Sequence, residues 1–164
     1  MSEPHPKNSD LGAALGRVPS GLFILTARGA DGRATGMLAS WVQQAGFEPP
    51  MISVAFHRDR YAADWARSSG RFVLNQIPAG NKTLLRHFGK GFAPDEPAFE
   101  GVKIADEHDA GPVLAEALAY LVAEPAGEVA GGDHVVMLAR VVEGGLIDPE
   151  GQPLVHIRQN GTHY

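Results

Sequence analysis

The sequence predicts a mainly β domain, a small antiparallel barrel with flanking helices. Short strand-like runs outnumber helical segments, and turns rich in Gly and Pro separate them. Runs 51–56, 118–123 and 135–142 are apolar on both alternating faces. Such strands are explained by one face inside a barrel and the other against a helix or a second subunit. Closure of the barrel would also remove exposed sheet edges.

The length of 164 residues, 44% of them hydrophobic, fits one domain with a sizeable core. We expect this domain to span residues 9–164. The polar, proline-containing residues 1–8 predict a flexible tail. They have no apolar segment typical of a secretory signal, and no apolar run reaches the ~18 residues that span a bilayer. The sequence therefore predicts a cytoplasmic protein with no membrane partner.

The net charge of −5 argues against binding to nucleic acid or to an acidic membrane. An anionic ligand would have to be held by local cations. The chain has no cysteine, which excludes disulfides, thiolate metal sites and a catalytic thiol. Its seven histidines show no spacing typical of metal ligands, so no metal site is predicted. Dinucleotide-binding, Walker and serine-hydrolase motifs are also missing from the sequence.

The first third of the chain predicts a short helix and three strands. The helix begins at a capping Ser9 or Asp10 and ends before Pro19. Apolar residues then predict strands, and a Gly-rich turn at 29–32 makes the first two of them a hairpin. The predicted strands are 22–28, 33–42 and 51–56.

The rest of the chain predicts two more helices and several strands. Gly70 suits the left-handed position at the end of the first helix, and Asn81 suits the N-cap of the second. Residues 89–113 predict a long irregular excursion. The predicted helices are 61–69 and a segment starting at Asn81. The predicted strands are 71–77, 118–124, 134–142 and 154–157. Residues 125–133 are expected to separate the strands 118–124 and 134–142.

One stretch at the end of a predicted strand is unusually rich in small residues. It comprises Thr35, Gly36, Met37, Leu38, Ala39, Ser40 and Trp41. Strand interiors favour branched and aromatic residues, so Gly and Ala there suggest a flat or bulky group close to the backbone. The alternative is a bend or bulge in an ordinary sheet.

Three further features have two interpretations each. Arg58 and Arg60 follow a strand and could hold a phosphate or merely solvate a loop. Asn75 is a lone amide in an apolar strand, so it must bond to a ligand edge or to neighbouring backbone. Asp133 and His134 follow two glycines, and they either present an imidazole or form a turn capped by the aspartate.

Taken together, these residues resemble the flavin reductase-like family over residues 11–164, and within it the C-terminal flavin reductase domain of the flavodiiron proteins. No single matching segment is specific for the family, but the order and spacing of the segments together are. The segments that carry the resemblance are 14–22, 37–42, 72–75, Arg86-His87-Phe88, Gly132-Asp133-His134 and 161–164.

The resemblance implies the FMN-binding split barrel, an antiparallel fold. It implies that Thr35 to Trp41 lies against the flavin ring, chiefly through backbone, and that His57, Arg58 and Arg60 reach the ribityl phosphate. Asn75, His87 and Phe88 would also border the flavin. Asp133 and His134 would act on the nicotinamide side, His134 by positioning the nicotinamide or shielding reduced flavin. Family members are typically homodimers.

The implied activity is hydride transfer from NADH or NADPH to FMN, with FAD as the alternative flavin. This chemistry needs no triad, thiol or metal, because the cofactor supplies the reactivity. The sequence lacks the diiron and flavodoxin-like modules, so it is expected to reduce flavin for a separate diiron or flavin-dependent oxygenase partner. A competing interpretation is a flavin-binding electron carrier with no site for a pyridine nucleotide.

Overall fold

The computed structural model describes residues 9–163 as three helices and eleven strands. The helices are α1 (Ser9–Gly16), α2 (Tyr61–Ser69) and α3 (Lys82–Gly89). The strands are β1 (Ser20–Gly21), β2 (Phe23–Arg28), β3 (Ala34–Ala39), β4 (Trp41–Gly46), β5 (Met51–His57), β6 (Phe72–Gln76), β7 (Ile104–Asp106), β8 (Val113–Leu114), β9 (Ala119–Gly131), β10 (His134–Leu146) and β11 (Val155–His156). The predicted mainly β architecture with flanking helices is confirmed. The predicted tail at 1–8 lies outside the described residues.

Seven strands form one antiparallel sheet in the order β3-β2-β6-β9-β10-β5-β4. Its two end strands, β3 and β4, are consecutive in the chain and are separated only by Ser40. The sheet must therefore curl until its two edges approach each other, and β3 also contacts β5. The barrel stays split along this line, because β3 pairs with β2 and β4 pairs with β5.

The barrel has a core on each side of the sheet. Alternate residues of a strand face opposite sides, so Leu25 joins the inner core while Ile24 joins the outer one. The inner core includes alanines of α2, which packs on β2. The outer core contains Leu84 and Phe88 of α3. As predicted, Gly70 ends α2 with φ 75° and Asn81 caps α3, accepting a hydrogen bond from Leu84 N at 3.0 Å.

The prediction that 125–133 separates two strands is wrong. β9 continues to Gly131 and β10 begins at His134, so the two strands form a long hairpin with a turn at Gly132-Asp133. Pro125 is tolerated because it lies at a β-bulge, where the pairing shifts between Leu138 and Ala139. The predicted excursion at 89–113 also contains β7 and reaches the start of β8.

The other end of β10 also extends beyond its predicted limit. Gly144 and Gly145 give no strand signal, yet both pair with β9. A Cβ atom on Gly144 would lie 2.9 Å from Leu121 Cδ2, and one on Gly145 would lie 2.8 Å from Tyr120 Cε1. The strand continues here because the glycines leave room for the neighbouring side chains.

Asn75 ties three parts of the chain together from a fully buried position in β6. Its Nδ2 donates to Ile24 O and to Pro112 O, both at 3.3 Å, and its Oδ1 accepts from Leu114 N at 2.8 Å. Of the two sequence interpretations, bonding to neighbouring backbone is the one the structure has. The amide thus fastens the segment before β8 onto β2.

We expect Asn75→Ala to lower the free energy of unfolding by about 2–4 kcal/mol, because buried backbone groups would lose their partners. Urea denaturation followed by circular dichroism measures this change. The control is Asn81→Ala, which removes a half-buried helix cap and should cost about 1 kcal/mol. A smaller loss for Asn75→Ala than for Asn81→Ala would contradict the anchoring role.

Candidate functional site

A cleft of about 240 Å³ opens at the split of the barrel, and we call it the split cleft. One wall is Met37 to Ser40, at the end of β3. The opposite wall is the end of β5 at His57, and Phe88 of α3 closes the cleft from the outer side. Arg60 and His134 supply polar groups. The cleft therefore combines an apolar floor with a cation and two imidazoles.

Two further cavities adjoin the split cleft and share walls with it. The loop cleft, about 290 Å³, lies between Thr35–Met37 and residues 91–94. The C-terminal pocket, about 280 Å³, lies between His134 and residues 158–163. Arg60 lines all three cavities, whereas Arg58 lines none of them. The two arginines, equivalent in the sequence, are thus distinguished by the fold.

The backbone of β3 is exposed along one edge in the split cleft, and its N–H and C=O groups are available there for hydrogen bonds. Among residues 9–163, β3 pairs with β2 on one side and has no strand on the other. Alternate residues of such an edge strand direct their N–H and C=O groups away from the sheet. These groups can bind the polar rim of a flat ring. Met37 and Ala39 belong to the inner core, so their side chains face away from the α3 side.

The flat group that lies against Gly36 is the ring of Phe88. A Cβ atom on Gly36 would lie 2.5 Å from Phe88 Cε1 and 3.4 Å from Phe99 Cζ. Gly36 is therefore small because an aromatic ring of α3 approaches the strand. The part of the small-residue stretch that lines the split cleft begins one residue later, at Met37.

Thr35 is buried behind the cleft, where a chain of hydroxyl groups fixes the start of β3. Its Oγ1 lies 2.7 Å from Tyr61 OH, which donates to Phe92 O at 2.8 Å. Because the Tyr61 proton is used in that second bond, Thr35 donates in the first. The chain joins β3, α2 and the loop after α3, three walls of the loop cleft.

His134 is held in one orientation by its neighbours. Its Nδ1 donates to Asp133 Oδ1 at 2.7 Å, and its ring lies against Trp41 with centroids 4.8 Å apart. The hydrogen bond from His134 lowers the pKa of the Asp133 carboxyl. With a proton on Nδ1, the Nε2 atom of the neutral imidazole is an acceptor.

His57 lies beside His134 because the two residues are paired across β5 and β10. Their ring centroids are 5.4 Å apart, with an edge-to-face arrangement. The backbone N–H of Asp59 donates to His57 Nδ1 at 3.3 Å, which leaves the proton of the neutral ring on Nε2. In their neutral forms, these contacts give the two imidazoles opposite tautomers, with Nε2 of His57 a donor and Nε2 of His134 an acceptor.

Three residues implied by the family resemblance, Arg58, Asn75 and His87, line none of the three cavities. Asn75 is buried in the sheet, as described above. His87 donates from Nε2 to Ala98 O at 2.8 Å, and it packs against Phe88 rather than facing the cleft. Arg58 donates its backbone N–H to Asp133 O at 3.1 Å. His87 supports Phe88, and the Arg58 backbone supports the turn before His134.

The sequence prediction missed the segment after β11 as a wall of the site. Arg158, Thr162 and His163 line the C-terminal pocket. The segment returns because β11 pairs with β1 and Arg158 N donates to Gly16 O at 2.9 Å. Such a contact between the two ends of the chain has no local signal in the sequence.

Among residues 9–163, no group of three or more His, Asp or Glu side chains has the geometry to hold a metal ion. None of the helices in this described part of the chain is long and apolar enough to cross a bilayer.

Solved structures share this fold. The NADH:FAD oxidoreductase SgcE6 of Streptomyces globisporus C-1027 superposes with a TM-score of 0.81 at 23% identity, over 96% of this chain and 93% of that one. The flavin reductase HpaC, solved with NADP+, superposes with a TM-score of 0.75 at 24% identity, over 92% of each chain. These likenesses place the chain among split-barrel folds.

Sequence comparison identifies the family. Diflavin flavoprotein A 1 of Synechocystis sp. is 40% identical over 158 residues, which cover 96% of this chain. The chain spans only 27% of that protein's length. Residues 15–163 match the family described as flavin reductase like domain. The chain belongs to the flavin reductase-like domain family.

Proposed function

We propose that this domain is an NAD(P)H:flavin oxidoreductase that binds FMN in the split cleft and transfers a hydride to it. One observation carries the proposal. The free edge of β3, the Arg60 cation and the Asp133-held imidazole of His134 surround connected cavities at the split of the barrel. The family assignment supports it, as do an NADH:FAD oxidoreductase and a reductase solved with NADP+ among proteins of the same fold.

The residues present fit a phosphorylated flavin. A flat ring needs apolar surface on its faces and donors and acceptors at its rim, which the Leu38 and Phe88 side chains and the β3 backbone can supply. A phosphate needs a cation with several N–H donors, which Arg60 offers between the split cleft and the loop cleft. His57 and Met37 complete the contact set. Bound FMN would supply the hydride-accepting chemistry.

The role of the protein is orientation and exclusion of water. Phe88 and the inner core close two sides of the split cleft, so the reacting groups would meet on a largely apolar surface. His134 would contact the nicotinamide through Nε2, with Asp133 and Trp41 fixing its ring. His57 would donate from its own Nε2 on the same rim.

We also propose that the domain forms a homodimer. A groove of about 530 Å³ lies on the outer face of β4, β5 and β10, and Ser53, Ala55 and Val136 line it. Its rim includes Val18 and Val155, which are 61% and 58% exposed. A second copy would cover this face, as the apolar pattern on both sides of β5 and β10 predicts. Electrons would pass as reduced flavin to a diiron or oxygenase partner.

Mixing the protein anaerobically with FMN and NADH or NADPH should bleach the visible absorbance of oxidised flavin. The His134→Ala variant should lower kcat/KM for the pyridine nucleotide by about tenfold or more, since the nicotinamide would lose its positioning group.

The matched control is His156→Ala, which alters a half-buried histidine of β11 outside the three cavities. Persistent flavin absorbance with the unaltered protein would favour the electron-carrier alternative. Equal kinetic constants for His134→Ala and the unaltered protein would remove His134 from the mechanism.

Arg60→Gln should raise the Kd for FMN by about tenfold while changing the Kd for riboflavin, which lacks the phosphate, by no more than about threefold. Quenching of flavin fluorescence measures both constants. Arg58→Gln is the matched control, with the same charge change two residues away, and its FMN Kd should stay within about threefold of the original. A larger effect at Arg58 than at Arg60 would overturn the assignment of the phosphate to Arg60.

A further inference from the structure

The C-terminal pocket is a distinct cavity that shares only three of its walls with the split cleft. The shared walls are His57, Arg60 and His134, and the others come from Trp41, Asp133 and residues 158–163. The C-terminal segment is fastened in place by backbone bonds. Arg158 N donates to Gly16 O at 2.9 Å, and Gly161 N donates to Gly12 O at 2.7 Å. The pocket is therefore built by the fold rather than by a loose tail.

The pocket concentrates positive charge in a chain whose net charge is −5. Arg60 and Arg158 each bring a guanidinium cation to the pocket. Three imidazoles, those of His57, His134 and His163, also line the pocket. Among the described residues that line it, Asp133 is the only one with a carboxylate side chain, and it already accepts the hydrogen bond of His134 at 2.7 Å. Two guanidinium groups beside one carboxylate leave a local excess of positive charge, which favours an anion.

Arg158 is held where it can bind such an anion. Its guanidinium carbon lies 5.2 Å from the centre of the Trp41 ring, and Trp41 in turn contacts His134. A guanidinium has five N–H donors in one plane, so it can contact an aromatic face and still bind a phosphate. Thr162 N and Oγ1 both donate to Asn160 Oδ1, at 2.8 and 2.7 Å, which orders the adjoining turn.

We propose that the C-terminal pocket binds a phosphate group of the pyridine dinucleotide donor, with Arg158 as its principal cation. The inference rests on the proposed function and names the part of the donor that this pocket would take. The pocket shares His134 with the split cleft, and it also includes Arg60, the residue proposed to meet the flavin phosphate. Because His134 and Arg158 line the same pocket, a donor with its nicotinamide at His134 would place its phosphates on the Arg158 side.

The test uses the full chain with Arg158→Gln, and Arg158→Lys as the variant that keeps the charge. Binding of NADP+ and NAD+ is measured by calorimetry, which needs no turnover, and KM is measured for NADPH and NADH with FMN as acceptor. We expect Arg158→Gln to raise the Kd and KM of the donor by about tenfold or more, with partial recovery in Arg158→Lys. The Kd for FMN should change far less.

The control is Arg71→Gln, which makes the same charge change on the surface while Glu124 keeps its second partner, Arg140, at 2.8 Å. An effect on NADP+ alone assigns the pocket to the 2′-phosphate, and an equal effect on NAD+ assigns it to the pyrophosphate.

Unchanged dinucleotide binding in Arg158→Gln would overturn the inference, as would an effect confined to FMN. If the unaltered protein bound NADP+ through Arg158 but reduced no flavin, the proposed activity would fail while the phosphate site stood. If it reduced flavin with no dependence on Arg158, the site would fail and the activity would stand.

Discussion

The passage of the chain through Ser40 is the constraint on which the rest of the structure depends. This residue alone separates β3 from β4, the two end strands of the seven-stranded sheet. The sheet must curl to satisfy so short a connection, yet its closing edges are not joined by a ladder of hydrogen bonds. The result is a barrel with a line of strand backbone still able to bind a ligand at its split.

The elements around the split fix the positions of the walls of the split cleft. Phe88 fills the space left by Gly36, the hydroxyls of Thr35 and Tyr61 tie β3 to the loop after α3, and the hairpin of β9 and β10 delivers His134 opposite His57. When a cofactor supplies the reactivity, the side chains mainly have to bind the reactants and orient them. A site made of backbone, one arginine and two oriented imidazoles is consistent with that demand.

Sequence patterns predicted most elements but few of the distances between them. The caps at Gly70 and Asn81 could be predicted because they depend on local conformation. The continuation of β9 past Pro125 could not, since it needs a bulge opposite Leu138. The sequence near Asn75 does not show that its side chain bonds to backbone, and the sequence near Arg58 and Arg60 does not show that only Arg60 lines the cavities. Both outcomes depend on which distant segments pack nearby. Arg158 reaches the site only through the pairing of β1 with β11.

The most direct test of the central claim is a crystal structure of the chain with FMN bound. The account predicts that the flavin ring lies in the split cleft against the backbone of β3, with its phosphate contacting Arg60. A flavin bound instead in the apolar groove outside β4 and β5, or with its phosphate remote from Arg60, would contradict it.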